Sequence, residues 1–281
     1  MDAAARIETP SGKGAGDENF PVGSFLIPPA LRPHVAAYYA FARAIDDIAD
    51  NPALAPDDKI ARLDAFGAAL TGGNNDPVYA KAHRLRKTLL ETGISARHGL
   101  DLISAFKQDA VKPRYETWDE LVDYCLRSAA PVGRFLCDLH GEDPALHPLS
   151  DALCNALQVI NHLQDCAKDY AEMDRVYLPQ EWMRAEGTTV SDLKNAAATP
   201  ALRRVLTRCV DGTEALLVDA RKLAGAMKHK RLAAETAIIV GVADELTRRL
   251  RRHDPLAMRV ALGPLGYLTA AGGGLLRLWL K

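Results

Sequence analysis

Helical periodicity is the feature that most constrains the fold of this chain. Apolar residues recur every three or four positions, and no alternating apolar–polar run is long enough to predict a strand. Proline and glycine residues divide this pattern into predicted helices near residues 31–50, 57–70, 76–91, 95–108, 117–140, 149–172, 200–227 and 230–252. Residues 175–191 are expected to form a long structured loop. The sequence therefore predicts an all-α fold, with a disordered arm over residues 1–18 and one helical domain over residues 19–281.

Composition excludes several classes of function. With 281 residues, 48% of them hydrophobic, the chain can bury a large core, and its formal net charge of −1 gives no electrostatic reason to expect a nucleic-acid partner. The five cysteines are an odd number without a CxxC pair, and no signal peptide is visible, so a reducing cytoplasm is the expected location.

The C-terminal residues 260–280 are almost uncharged but are interrupted by glycines. A membrane-spanning helix is the weakest interpretation of them, because glycine and proline break up the apolar run. The segment is expected either to pack in the core, or to cover a cavity, or to lie at a membrane surface as a peripheral contact on its inner face.

A first acidic string occupies the end of the first predicted helix, Arg43–Asp50. Asp46 and Asp50 are four residues apart and share one helix face, and Arg43 shares it too. Asp47 lies about 100° round the helix, so it either reaches the edge of this cluster or faces solvent. By itself the string is also typical of a solvated helix end, although carboxylates are unfavourable at a C-terminus.

A second acidic string runs from Gln158 to Asp169 and repeats the spacing. Asn161, Asp165 and Asp169 occupy successive fourth positions on a helix whose other side is apolar. Carboxylate and amide oxygens, without histidine or cysteine, favour Mg²⁺, with Mn²⁺ as a substitute. His162 lies off this stripe and is expected to be exposed or hydrogen-bonded rather than a catalytic base.

With both acidic strings in place, the chain resembles the squalene/phytoene synthase family over roughly residues 19–260. Tyr124-Cys125, Ala130–Gly133 and Arg175–Pro179 fit the same family. The resemblance implies an isoprenoid synthase (prenyltransferase) helical bundle, with the two motifs on opposite walls of a central cavity. It also implies an enzyme that acts on prenyl diphosphates with a bound Mg²⁺.

Site residues follow from the same resemblance. The implied metal ligands are Asp46, Asp50, Asn161, Asp165 and Asp169, and the four aspartates and Tyr39 are the implied catalytic residues. The implied diphosphate-binding residues are Ser24, Arg43, Gln158, Gln164 and Arg259. The implied cavity residues are Phe25, Tyr38, Phe41, Tyr124, Val132, Gly133 and Tyr177. Aromatic rings can stabilise carbocations through their faces, and core packing is the alternative role for each of them.

Within the family, Glu18–Ser24, Gln164 and Pro131–Arg134 resemble the bacterial hopanoid-pathway branch. Its reaction converts presqualene diphosphate and water to hydroxysqualene and diphosphate, and Gln164 either holds that water or is exposed. Gly272–Gly274 follow no strand and match no dinucleotide fingerprint, so NADPH is not expected. Partner enzymes of the squalene pathway could channel the oily substrate.

The first alternative is a head-to-head prenyltransferase whose product is either presqualene diphosphate, made from farnesyl diphosphate, or phytoene. A more distant alternative is a non-catalytic assembly factor on the same fold. Val242 and Tyr267 stand where other family members carry a tyrosine and a basic residue.

Overall fold

The computed structural model describes residues 26–280 of the chain. The predicted arm, the Glu18–Ser24 string and the candidate site residues Ser24 and Phe25 lie outside the described residues. The described residues form twelve α-helices: α1 (Arg32–Ala49), α2 (Pro56–Thr71), α3 (Ala80–Thr92), α4 (Arg97–Asp109), α5 (Trp118–Ser128), α6 (Ala130–Leu139), α7 (His147–Gln164), α8 (Cys166–Met173), α9 (Gln180–Ala185), α10 (Pro200–Ala226), α11 (Lys230–Arg252) and α12 (Pro264–Trp279). Short 3₁₀ turns cover Pro77–Tyr79, Pro144–Leu146 and Val190–Lys194. The predicted all-α class is confirmed: over residues 26–280, pairing of the β type is limited to one bridge between Arg114 and Val176.

Two of the predicted helices are each divided in two, which corrects the sequence interpretation. The predicted helix 117–140 breaks at Ala129, where φ is −127° and ψ is −46°. Pro131 accounts for this break, since it lacks the N–H that would continue the helix and suits the first turn of a new one. The predicted helix 149–172 bends at Asp165, where φ is −104° and ψ is 8°. The expected loop at residues 175–191 also contains the short helix α9.

The first compact unit comprises residues 26–112 and 131–143 of the described chain. Helices α1 and α2 both pack against α3 and α4. The buried side of α1 contributes Phe41, which meets Phe66 edge-on with ring centroids 6.1 Å apart, and Tyr38, which stacks on Phe135 at 4.1 Å. Because this side of α1 is fully used by the core, its remaining face is left to carry the first acidic string.

The second compact unit comprises residues 113–130 and 144–280. Helix α10 packs against α7 and α11, and α5 packs against α7. The apolar residues on the other side of α7 from the second acidic string are all buried: Leu153, Leu157, Ile160 and Leu163. Burial of this side fixes the rotation of α7, so Gln158 and Asn161 remain partly exposed.

Helix α12 covers most of the C-terminal segment and packs along α11. Their backbones come close at two glycines: a Cβ atom on Gly274 would lie 2.0 Å from the carbonyl oxygen of Ala237, and one on Gly241 would lie 2.2 Å from that of Ala270. Only glycine permits this approach. None of the helices within residues 26–280 is long and apolar enough to cross a membrane.

Candidate active site

The first acidic string lies in the last turns of α1, with Arg43 between two carboxylates. Its guanidinium Nη1 is 2.9 Å from Oδ2 of Asp46, and its Nη2 donates to Oδ1 of Asp47 at 3.0 Å. Asp47 is only 4% exposed, so the alternative that it faces solvent is wrong; through Arg43 it joins the edge of the cluster. It is buried because Arg43 compensates its charge, as a buried carboxylate requires. Asp46 and Asp50 remain partly exposed, one turn apart.

The second acidic string spans the bend between α7 and α8. The helical hydrogen bonds continue through that bend: the amide of Asp165 donates to the carbonyl of Asn161 at 2.9 Å, and that of Asp169 donates to the carbonyl of Asp165 at 2.8 Å. The three side chains therefore keep a spacing of one turn. Asp165 is exposed, and Asn161 and Asp169 are partly exposed. Lys168, off this stripe, is exposed.

The donor chemistry of the two strings fits a hard divalent cation. Each string presents carboxylate or amide oxygens one helical turn apart and open to solvent, and Mg²⁺ prefers oxygen ligands together with retained waters and phosphate oxygens. Within residues 26–280, no three histidine, cysteine, aspartate or glutamate side chains converge tightly enough to form a complete metal site.

Gln164, the last residue of α7, makes a contact that the sequence did not predict. Its Nε2 donates to the backbone carbonyl of Val260 at 2.6 Å, and the side chain is half-buried rather than exposed. The bond ties the end of α7 to the segment that precedes α12. Arg259, adjacent to Val260, is exposed.

An aromatic cluster lies behind the second acidic string. Tyr124 and Tyr177, both candidate cavity residues, are buried with ring centroids 5.7 Å apart, and Tyr115, which the sequence analysis missed, lies 5.2 Å from Tyr124. His162 stacks on Tyr177 at 3.6 Å.

His162 is therefore buried, which corrects the expectation of an exposed or hydrogen-bonded ring. Its Nε2 has no hydrogen-bond partner among the described residues. Burial, helped by the positive charge of Arg175, lowers the pKa of His162 to about 3. The ring is therefore neutral at physiological pH. Its burial could not be predicted from the residues near it in the sequence.

The other candidate residues divide into buried and accessible groups. Tyr38 and Phe41 are buried in the core of the first unit, whereas Tyr39 is half-buried on the same helix. Val132 and Gly133 are half-buried on α6. Val242 is buried in α11. Burial, with the charge of Glu235, raises the pKa of Tyr267, which supplies no positive charge where other family members have a basic residue.

Comparison with known proteins identifies the family. Residues 14–265 match the family model described as squalene/phytoene synthase. The chain belongs to the squalene/phytoene synthase family. This confirms the family inferred from the acidic strings, and the protein is accordingly an isoprenoid synthase.

Individual members of the squalene/phytoene synthase family differ in their similarity to this chain. It is 46% identical to a hydroxysqualene synthase of Zymomonas mobilis over 97% of this chain and 92% of that protein. It is 30% identical to a presqualene diphosphate synthase of the same organism over 68% of this chain and 66% of that protein. Among solved structures, the squalene synthase HpnC from Alicyclobacillus acidocaldarius superposes with a TM-score of 0.74 at 33% identity, covering 89% of this chain and 92% of that one.

Proposed function

We propose that this protein converts presqualene diphosphate and water to hydroxysqualene and diphosphate in squalene and hopanoid biosynthesis. One observation carries the proposal. A single organism, Zymomonas mobilis, has both a hydroxysqualene synthase and a presqualene diphosphate synthase, and this chain is 46% identical to the first but 30% identical to the second. Both comparisons come from the same genome, so the difference reflects the branch of the family rather than the distance between species.

The proposed metal ligands are Asp46, Asp50, Asn161, Asp165 and Asp169. A bound Mg²⁺, or Mn²⁺ in its place, would neutralise the charge that develops on the leaving diphosphate. Gln158, Arg259 and Ser24 are proposed to hydrogen-bond or pair with diphosphate oxygens.

Arg43 is the cation already present beside the first acidic string. Because it bridges Asp46 and Asp47, it limits repulsion between these carboxylates while no substrate is bound. It also holds Asp46 in a fixed direction. A diphosphate that approached this face would meet a guanidinium as well as the carboxylates, and guanidinium groups bind phosphates through paired hydrogen bonds.

Loss of diphosphate from presqualene diphosphate leaves a carbocation, which must be protected from bulk water until one water attacks it. The cluster of Tyr115, Tyr124, Tyr177 and His162 supplies aromatic faces of the kind that attract cations. The depressed pKa of His162 supports this role, because a protonated ring would repel a carbocation. Tyr39, which is half-buried on α1, is proposed to serve the same purpose.

The chemical test is a reaction in oxygen-18 water. The purified full-length chain, Mg²⁺ and presqualene diphosphate, without NADPH, should give hydroxysqualene that carries the label in its hydroxyl group. Farnesyl diphosphate alone should give little product. Efficient conversion of farnesyl diphosphate to presqualene diphosphate would instead assign the protein to the condensing branch.

The substrate and the product of the proposed reaction both carry long hydrocarbon chains. We therefore propose a cytoplasmic enzyme that works beside the inner face of the membrane and receives its substrate from another enzyme of the pathway.

A further inference from the structure

Helix α12 carries a continuous apolar surface on its outer side. Leu265, Leu268, Leu276 and Trp279 are 75%, 67%, 60% and 85% exposed, respectively. At 100° per residue these four side chains fall within a sector of about 80°, and they extend over about 21 Å of the helix. We call these four residues the apolar stripe.

The packing of α12 explains why the apolar stripe faces outward. The opposite side of the helix carries Ala270 and Gly274, which meet the backbone of α11 at the close crossing. That crossing fixes the rotation of α12, so folding does not bury the stripe. Large exposed apolar residues elsewhere, such as Leu90 and Val218, are isolated on other helices. Contiguous exposed patches mark binding surfaces, whereas single exposed residues do not.

Two unpaired positive charges lie shortly before α12 in the chain. Residues 244–280 contain six arginines and three acidic residues; Arg248, Arg249 and Arg277 pair with Glu245 or Asp244, and Arg251 pairs with Asp211. Arg252 and Arg259 are exposed and have no ion-pair partner among residues 26–280. A cavity of about 220 Å³ between α11 and α12 is lined by Arg248 and Arg277, together with Glu245 and Thr269.

This charge distribution selects the kind of partner. A second copy of the chain would bring its own arginines against these arginines, and like charges in contact are unfavourable. A partner surface that is apolar and carries scattered negative charges complements both the apolar stripe and the arginines. Leucine and tryptophan beside arginine are also the residues typical of helices that lie flat in a bilayer interface.

We propose that α12 is an interfacial helix that binds an anionic lipid bilayer, with the apolar stripe inserted at the boundary between headgroups and acyl chains. Arg252 and Arg259, the two exposed arginines of this region without ion-pair partners among residues 26–280, meet the lipid phosphates. This surface would hold the enzyme where long isoprenoid chains dissolve. The proposal does not depend on which reaction the enzyme catalyses.

Vesicle binding tests the proposal directly. The full-length chain is mixed with vesicles of phosphatidylcholine, or of phosphatidylcholine with about one-third phosphatidylglycerol, and the bound fraction is measured by flotation. We expect binding to the anionic vesicles that weakens at high salt, and at least tenfold weaker binding to pure phosphatidylcholine.

Two variants and a matched control separate the contributions. The double variant Leu268→Ser with Trp279→Ser should bind at least tenfold more weakly, and Arg252→Gln should bind about fivefold more weakly. The control, Leu90→Ser with Val218→Ser, replaces exposed apolar residues outside α12 and should bind like the wild type. All these positions are exposed, so the fold should be retained.

Unchanged vesicle binding by the Leu268/Trp279 variant would overturn the proposal. If that variant also converted a wild-type dimer to a monomer in light scattering, the apolar stripe would instead join two copies of the chain.

Discussion

The sharpest structural prediction concerns the three consecutive glycines of α12. A Cβ atom on Gly272 or Gly273 would have no atom within 4 Å, whereas one on Gly274 would lie 2.0 Å from the carbonyl oxygen and 2.8 Å from the carbonyl carbon of Ala237. These are backbone atoms of α11, so they can move only if one helix moves against the other. The same substitution is therefore expected to have opposite effects at neighbouring positions.

The magnitudes can be worked from this geometry. Replacing glycine by alanine inside an exposed helix stabilises it by about 0.5–1 kcal/mol, so Gly272→Ala and Gly273→Ala should each raise the free energy of unfolding by about that amount. Gly274→Ala gains the same helix propensity. The clash forces a shift of α12 by roughly 1 Å, and overpacking of this kind costs about 1–3 kcal/mol. The net effect of Gly274→Ala should be a loss of up to about 2.5 kcal/mol.

Urea unfolding of the wild type and the three single variants measures these differences. Limited proteolysis adds a local measurement, because release of α12 from α11 in Gly274→Ala would expose the C-terminal segment to cleavage. Gly241→Ala should behave like Gly274→Ala, since its Cβ would lie 2.2 Å from the carbonyl oxygen of Ala270. A Gly274→Ala variant as stable as Gly273→Ala would refute the close crossing.

Three further predictions concern other parts of the second unit. Because the folded pKa of His162, about 3, lies below its unfolded value of about 6.5, stability is full above pH 6.5 and falls as the pH decreases. Between pH 7 and pH 5 the free energy of unfolding should fall by about 2 kcal/mol because of His162, and His162→Phe should remove this fall in urea unfolding. If the free energy of unfolding depended on pH equally in the variant and the wild type, the ring would protonate in the folded state. Asp165→Asn should lose most turnover but keep its melting temperature; wild-type turnover at limiting Mg²⁺ would exclude Asp165 as a ligand. The Thr117 hydroxyl accepts a hydrogen bond from the Glu120 amide, so Thr117→Ala should lower the free energy of unfolding by about 1 kcal/mol, and Thr117→Ser should not.

Hydrophobic periodicity, together with the positions of proline and glycine residues, was sufficient to predict most helices. The predicted limits of α1, α2 and α11 lie within one or two residues of those observed, because proline or glycine residues mark the ends of the first two and the apolar pattern is regular. The division at Ala129 was missed although Pro131 is plain in the sequence, because a proline can either end a helix or begin the next one. The bend at Asp165 has no such marker, since hydrogen bonds continue on both sides of it.

Spacing along one helix predicted the acidic strings, but burial of their neighbours depends on distant residues. Arg43 and Asp47 are four positions apart on α1 and pair with each other, a spacing that the sequence does show, whereas the burial of Asp47 in the core of the first unit was not predicted. His162 is buried because Tyr177, from the loop after α8, stacks on it, and Tyr124 from α5 lies nearby. Tertiary packing of this kind has no local signal. The family resemblance supplied the candidate residues, but their burial had to come from the structure.

The cysteines have a practical consequence for labelling. All five are free; Cys125, Cys137, Cys166 and Cys209 are buried, and only Cys154 is partly accessible. Burial raises the pKa of the Cys166 thiol to about 12 and raises that of Cys209 as well, so neither forms much of the thiolate that reacts with maleimides. A chain with Cys154→Ala would therefore be nearly silent towards thiol reagents, and adding Leu268→Cys would create a single reactive position. A fluorophore attached there, quenched by lipids that carry a spin label at known depths, would report in ångströms how far α12 enters a bilayer.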